Sequence, residues 1–108
     1  MRLRQAAVTT VGVLALLLSA PTPASAATGD FLYKVGPGIP AGLADPRSGE
    51  CINVFGATQA DPAFAPENFT RSTATVFLDF ECDGDVFYTM NPGKKLGNRL
   101  HFRSVLFS

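Results

Sequence analysis

The chain has 108 residues, nine basic and nine acidic side chains, a single histidine and no tryptophan. A formal net charge of zero gives no electrostatic case for nucleic acid or an anionic membrane surface as partner. This length accommodates one domain whose core, once a targeting segment is set aside, is marginal on its own.

The first residues read as such a segment. Arg2 and Arg4 form a short basic region, and an uncharged, mostly apolar run follows from Ala6 to Ala20. Pro21 and Pro23 then break it, and Ala24-Ser25-Ala26 ends it in a small-x-small pattern. That order is expected of a secretory signal peptide over residues 1–26, cleaved between Ala26 and Ala27. The apolar run is shorter than the ~20 residues a membrane span needs. Leu3 separates the two arginines, so there is no twin-arginine signal, and no lipid-bearing cysteine stands at the cleavage site. Residues 27–108 are then expected to be a single secreted, extracellular β-domain, monomeric and with no membrane contact after cleavage. Without Arg2 and Arg4 it keeps seven basic against nine acidic residues, a net charge of about −2.

In chain order, Asp30–Val35 is rich in aromatic and β-branched residues and stops at Gly36-Pro37-Gly38. Glu50–Phe55 alternates, with Cys51, Asn53 and Phe55 on one face and Ile52 and Val54 on the other. Gly56–Arg71 is the one long stretch without strand character. Pro62 and Pro66 there hold the preceding residues extended. Loops of that length are uncommon in small domains unless functional or flexible. Thr73–Phe80 is expected to be a strand with Val76, Leu78, Phe80 and Cys82 on one face and Asp79, Glu81 and Asp83 on the other. A turn at Asp83-Gly84 leads to Val86–Met90, and Arg103–Phe107 closes the chain. No window carries a useful 3.6-residue repeat, so the fold class is all-β.

Cys51 and Cys82 are the only cysteines. An exported chain carries them into an oxidising compartment, so they are expected to form a disulfide. A metal site would have only His101 to add to them, and a thiol nucleophile would need a base and reducing surroundings.

The acidic run Asp79, Glu81, Asp83, Asp85 invites three readings. As a calcium loop of the EF-hand kind it would need a bidentate carboxylate at its twelfth position, which is Met90, and helices on both sides. As a catalytic pair it would need surroundings that push two carboxyl pKa values apart, which an exposed hairpin does not supply. The remaining reading is the wet rim of a hairpin whose glycine takes positive φ.

Phe77, Gly84 after six intervening residues, the segment Val86–Gly93, and Arg103-Ser104-Val105 together resemble one Greek-key motif of the βγ-crystallin superfamily, over Thr73–Ser108. The resemblance implies a Greek-key β-sandwich. Phe77 would cover a folded-over hairpin, Gly84 would have positive φ, and Ser104 would tie the hairpin down by a hydrogen bond. A weaker echo runs from Phe31 to Gly38, with Cys51-Ile52 beginning a closing strand. The stretch Arg99–Ser104 lacks the carboxylates and amides that calcium-binding members carry, so neither metal nor other cofactor is expected.

The resemblance also implies a non-enzymatic binding role, with a secreted protease as the leading partner, since some small secreted proteins of this type inhibit metalloproteases. Such inhibitors usually carry more than one disulfide. The candidate binding loop is Gly56–Arg71, through Pro62, Phe64, Pro66 and Phe69. The rival readings are a structural or stress-related envelope protein with no enzyme target and a small secreted toxin. His101 reads as structural, Lys94-Lys95 as a solvated turn, and no phosphate loop, zinc spacing or nucleophile elbow supports an enzyme. Asn68-Phe69-Thr70 matches the N-glycosylation sequon, a triplet frequent by chance.

Overall fold

A computed structural model of the chain describes residues 26–108. The predicted signal peptide therefore lies outside the described residues, apart from its last alanine. Ala27, the expected first residue of the mature chain, is fully buried, and its N–H donates to the Pro46 carbonyl at 2.7 Å.

Eight strands follow: β1 (Gly29–Val35), β2 (Ile39–Ala44), β3 (Cys51–Asn53), β4 (Ala63–Thr70), β5 (Ala74–Phe77), β6 (Phe87–Met90), β7 (His101–Phe102) and β8 (Ser104–Phe107). They form two four-stranded sheets, β2-β1-β4-β7 and β3-β8-β5-β6, with every strand pair antiparallel. The architecture is an all-β sandwich. β3 and β7 each leave the sheet of the hairpin before them and pair in the other one.

Alternation along the strands builds the core. Phe31 and Tyr33 of β1 point inward while Leu32 and Lys34 point out. From the opposite sheet Ala74, Val76, Met90, Val105 and Phe107 meet them. Phe31 sits at the centre, edge-on to Phe102 at 6.0 Å and to Phe107 at 5.3 Å between ring centroids. Edge-to-face pairs of this kind favour the ring quadrupoles and add to the area they bury.

Four points differ from the sequence reading. Ile39–Ala44, to which it assigned no element, is β2. It tolerates Pro40 because it lies at a sheet edge, where a missing N–H breaks no ladder. Cys51-Ile52 does not close the first motif; β3 pairs with β8, and β4 returns to β1 instead.

The largest correction concerns Gly56–Arg71. Its second half is β4, flanked by β1 and β7 inside the first sheet. A β-bulge makes this possible. Between Leu32↔Glu67 and Lys34↔Phe64 the ladder gains one residue on β4, where Ala65 has φ +54°. The bulge reverses the alternation, so Ala63 and Ala65 face in before it and Pro66, Asn68 and Thr70 after it. Pro66, which has no N–H to donate, lies at the bulge and still accepts from Leu96 N–H at 3.0 Å.

The fourth change is the expected strand Thr73–Phe80, which stops at Phe77. Glu81 and Cys82 take left-handed backbone angles, φ +62° and +52°, within a short 3-10 turn over Phe80–Cys82. Phe77 pairs with Phe87, so the connection is the loop 78–86 rather than a tight turn at Asp83-Gly84.

Candidate functional site

The loop 78–86 holds the acidic residues, and its attachments explain where they sit. Strand register places Asn53, Ser104, Phe77 and Phe87 in one row across the second sheet, on the side away from the core. Cys51 lies in the next row, opposite Leu106. Loop 78–86 folds back over this outer face. Ser104 Oγ accepts from Cys82 N–H at 2.8 Å and donates to the Asp79 carbonyl at 2.6 Å. Asn53 accepts from Glu81 N–H at 2.8 Å and donates back to its carboxylate. The Cys51–Cys82 disulfide fixes the same edge, with Cα atoms 5.9 Å apart. Ser104 is consequently buried although it faces away from the core.

The three residues of the sequence motif meet in this region. Phe77 is half-buried and stacks, tilted, on Phe87 with centroids 5.7 Å apart. Gly84 has φ +84°, and a Cβ there would run into the Asp79 carboxylate. The left-handed angle strains a larger residue at position 84, whereas the exposed Asp79 side chain can move aside.

Asp79, Glu81, Asp83 and Asp85 are all exposed. Among the described residues no three His, Cys, Asp or Glu side chains gather into a group that could hold a metal ion. Asp79→Asn and Asp85→Asn are each expected to change stability by less than about 0.5 kcal/mol in urea titrations, as surface changes do. Millimolar calcium is expected to leave the melting temperature unchanged. A rise of several degrees would restore a metal site to these carboxylates.

The candidate binding residues do not share a loop. Pro62 is half-buried just before β4, and Pro66 is buried within it. Phe64 and Phe69 point outward from β4 onto the exposed face of the first sheet. Phe64 meets the ring of His101, and Lys95 lies over the ring of Phe69, 5.4 Å from its centroid. A shallow concavity of about 150 Å³ opens on this sheet, lined by Leu32, Lys34, Pro40, Ala65 and Glu67 among others.

Asn68 is fully buried and takes no part in any surface. Its side-chain N–H groups donate to the carbonyls of Ser72 at 2.8 Å and Met90 at 2.9 Å. In the folded protein this amide is buried with both N–H groups bonded, an arrangement that a glycan on Asn68 would disrupt.

What the sequence reading missed is the turn after β3. Phe55 is 83% exposed, the highest value among the exposed large apolar side chains. Its carbonyl accepts from the Tyr33 hydroxyl at 3.0 Å, a tie that reaches the turn from the core. The signal was present in the alternation, which put Phe55 on the side away from Ile52 and Val54, but nothing in the sequence reported that its face would stay uncovered there.

Burial raises the Tyr33 phenol pKa above the ordinary value of 10.0. An unfolded chain loses this proton near pH 10 while the folded chain keeps it, so stability falls as pH rises past that point. Thermal melts at pH 9 and pH 11 are expected to show a larger drop for the native protein than for Tyr33→Phe. Equal drops would mean that the phenol does not contribute.

Comparison with protein-family models, with curated proteins and with solved structures finds no match for this chain.

Proposed function

We propose that this protein is a secreted, non-enzymatic binding protein built from two Greek-key motifs of the βγ-crystallin type, with a secreted protease as its leading partner. The strand order supports the fold reading. In each half a hairpin is followed by a strand that crosses to the other sheet, and then by one that returns to the hairpin's first strand: β4 to β1, and β8 to β5. The hydrogen bonds of Ser104 to the folded-over loop support it in the second half. The first half lacks such a loop, because β1 and β2 pair in an uninterrupted ladder up to Val35↔Ile39. Export is supported by the signal-like N-terminus and by the disulfide, which persists in oxidising compartments.

The binding reading is carried by the apolar side chains that this stapled sandwich leaves in water. Val86, which leads into the edge strand β6, and Phe87 and Tyr88 within it are each about half exposed, and Phe55 is almost bare at the end of the sandwich. Runs of exposed apolar residues on a rigid domain mark interaction surfaces, whereas scattered single ones do not. Phe64, between Pro62 and Pro66, lies on a strand paired on both sides rather than in a displayed loop. The test is capture: residues 27–108, immobilised, are exposed to culture filtrate and assayed against a panel of secreted proteases. Specific capture with inhibition of at least one protease is expected. A blank in both assays would leave an envelope protein without an enzyme target as the better reading.

A further inference from the structure

The sheet edges are β2 and β7 in the first sheet and β3 and β6 in the second. An edge strand offers unpaired N–H and C=O groups to any chain that can lie beside it, and proteins blunt such edges by shortness, proline or charge. Three of these edges are blunted: β7 has 2 residues, β3 has 3, and β2 contains Pro40. β6 has no proline and no charged residue, and it runs in unbroken register from Phe87↔Phe77 to Met90↔Ala74. The loop 78–86 folds toward Ser104 and Asn53, over β8 and β3, and leaves Val86–Thr89 exposed.

The register identifies which groups are free. In an antiparallel ladder, bonded and non-bonded pairs alternate. Leu78 N–H donates to the Val86 carbonyl at 3.0 Å, so Val86, Tyr88 and Met90 are the residues that turn their backbone groups to β5. Ser108 N–H donates to the Thr73 carbonyl, and the same alternation turns Thr75 and Phe77 to β8, in agreement. The N–H and C=O groups of Phe87 and Thr89 therefore point off the edge into water.

This pattern is complementary to itself. When two copies of β6 run antiparallel about Tyr88, Phe87 of each lies opposite Thr89 of the other, and every free group finds a partner. Tyr88 then meets its own copy in a non-bonded pair, where facing side chains stand closest. The charges favour the same direction. Asp83 and Asp85 precede β6 and Lys94 follows it, all exposed. Asn68 donates to both the Met90 and Lys94 carbonyls, which keeps Lys94 at the end where β6 finishes. Antiparallel pairing brings the acidic end of one copy to Lys94 of the other, whereas parallel pairing would set acid beside acid.

We infer that this protein forms a two-fold dimer through β6, joining the second sheets of two copies into one continuous sheet. The sequence reading expected a monomer. The inference goes beyond the binding reading above, because the partner is the chain itself, and Phe55, beyond β3 at the opposite edge, stays outside the contact. The half-exposed rings of Phe87 and Tyr88 offer roughly 200 Å² per copy. Two copies together stay below the ~1,200 Å² of a stable interface, so the dimer is weak and concentration-dependent.

The experiment is sedimentation equilibrium of residues 27–108, which hold all the strands, from about 5 to 500 µM. A monomer–dimer equilibrium with a dissociation constant on the order of 10–100 µM is expected. Amide exchange at Phe87 and Thr89 is expected to slow as concentration rises. Thr89→Pro removes an N–H that the ladder to β5 does not use, and Tyr88→Lys sets like charges face to face. Each is expected to weaken the dimer at least about tenfold, while Ile39→Lys, the same charge on the β2 edge, stays within about twofold. Tyr88→Lys carries the result if the proline lowers the melting temperature. A monomer at every concentration would overturn the inference, as would a dimer that Tyr88→Lys leaves intact or one with unchanged exchange at Phe87 and Thr89. A protein captured from culture filtrate by the native monomer but not by Tyr88→Lys would give the edge to a foreign strand, and overturn it too. The capture assay with native protein decides the binding reading separately.

Discussion

Asn68→Ala is expected to lower the unfolding free energy by roughly 3–4 kcal/mol, a large share of the 5–10 kcal/mol or so that a domain of this size possesses. Asn68 is fully buried, and every hydrogen-bonding position of its amide is used. Two N–H groups reach the Ser72 and Met90 carbonyls, and the oxygen accepts from Thr70 N–H at 3.0 Å and from Thr70 Oγ at 2.7 Å. Because Met90 ends β6 and Asn68 lies in β4, one of these bonds links the two sheets. Truncation leaves buried donors and acceptors without partners, and leaving such groups unpaired costs far more than an average hydrogen bond contributes. Urea titration followed by fluorescence or circular dichroism reads the effect, which corresponds to a fall of more than about 10 °C in melting temperature.

Asn68→Asp separates this account from one based on lost volume. The introduced carboxyl is nearly isosteric, but when ionised it turns an oxygen toward two carbonyls that had received protons. Burial and those carbonyls hold its folded pKa above the unfolded value, so the deficit grows as pH rises through about 4 and shrinks below it. A destabilisation independent of pH between 3 and 7 would count against the hydrogen-bond explanation.

Removal of the disulfide, by reduction or by the paired change Cys51→Ser with Cys82→Ser, is expected to cost about 4 kcal/mol for a sequence separation of 31 residues. No cysteine is free, so alkylation without reductant is expected to leave the mass of the native protein unchanged. The bond joins β3 to the loop 78–86, where Glu81 and Cys82 hold left-handed angles that cost free energy for residues other than glycine. Ser104, Asn53 and Arg103 continue to grip that loop by hydrogen bonds after reduction. Amide exchange is therefore expected to rise first at residues 78–86, with β1 and β4 protected until global unfolding. Uniform acceleration across both sheets would show that the bond does not act locally, and a stability change below about 1 kcal/mol would contradict the entropic estimate.

The sequence by itself determined what depends on neighbouring residues. The aromatic and β-branched content of Asp30–Val35 marked it as a strand, and alternation set Ile52 and Val54 opposite Cys51, Asn53 and Phe55. Export chemistry and an even cysteine count pointed to the disulfide. The four acids were legible as a solvated rim, although the strand drawn beneath them was not, because the turn that ends it takes left-handed angles at Glu81 and Cys82, not at glycine alone.

Tertiary structure alone decided the rest. β4 presents Ala63, Ala65, Pro66, Asn68 and Thr70 to the interior, a set with no large apolar residue, and the bulge at Ala65 resets its alternation midway. Its place between β1 and β7 follows from ladders with residues more than thirty positions away in either direction, as in Phe31↔Asn68 and Phe64↔His101. Phe55 is the same kind of case. Alternation assigned it a face, but whether that face is covered depends on which segments fold across it. The loop 78–86 covers Ser104 in the next strand over, while the turn at Gly56 carries Phe55 past the sheet's end into water. A local period can say which way a side chain points; only the meeting of distant segments decides what lies there.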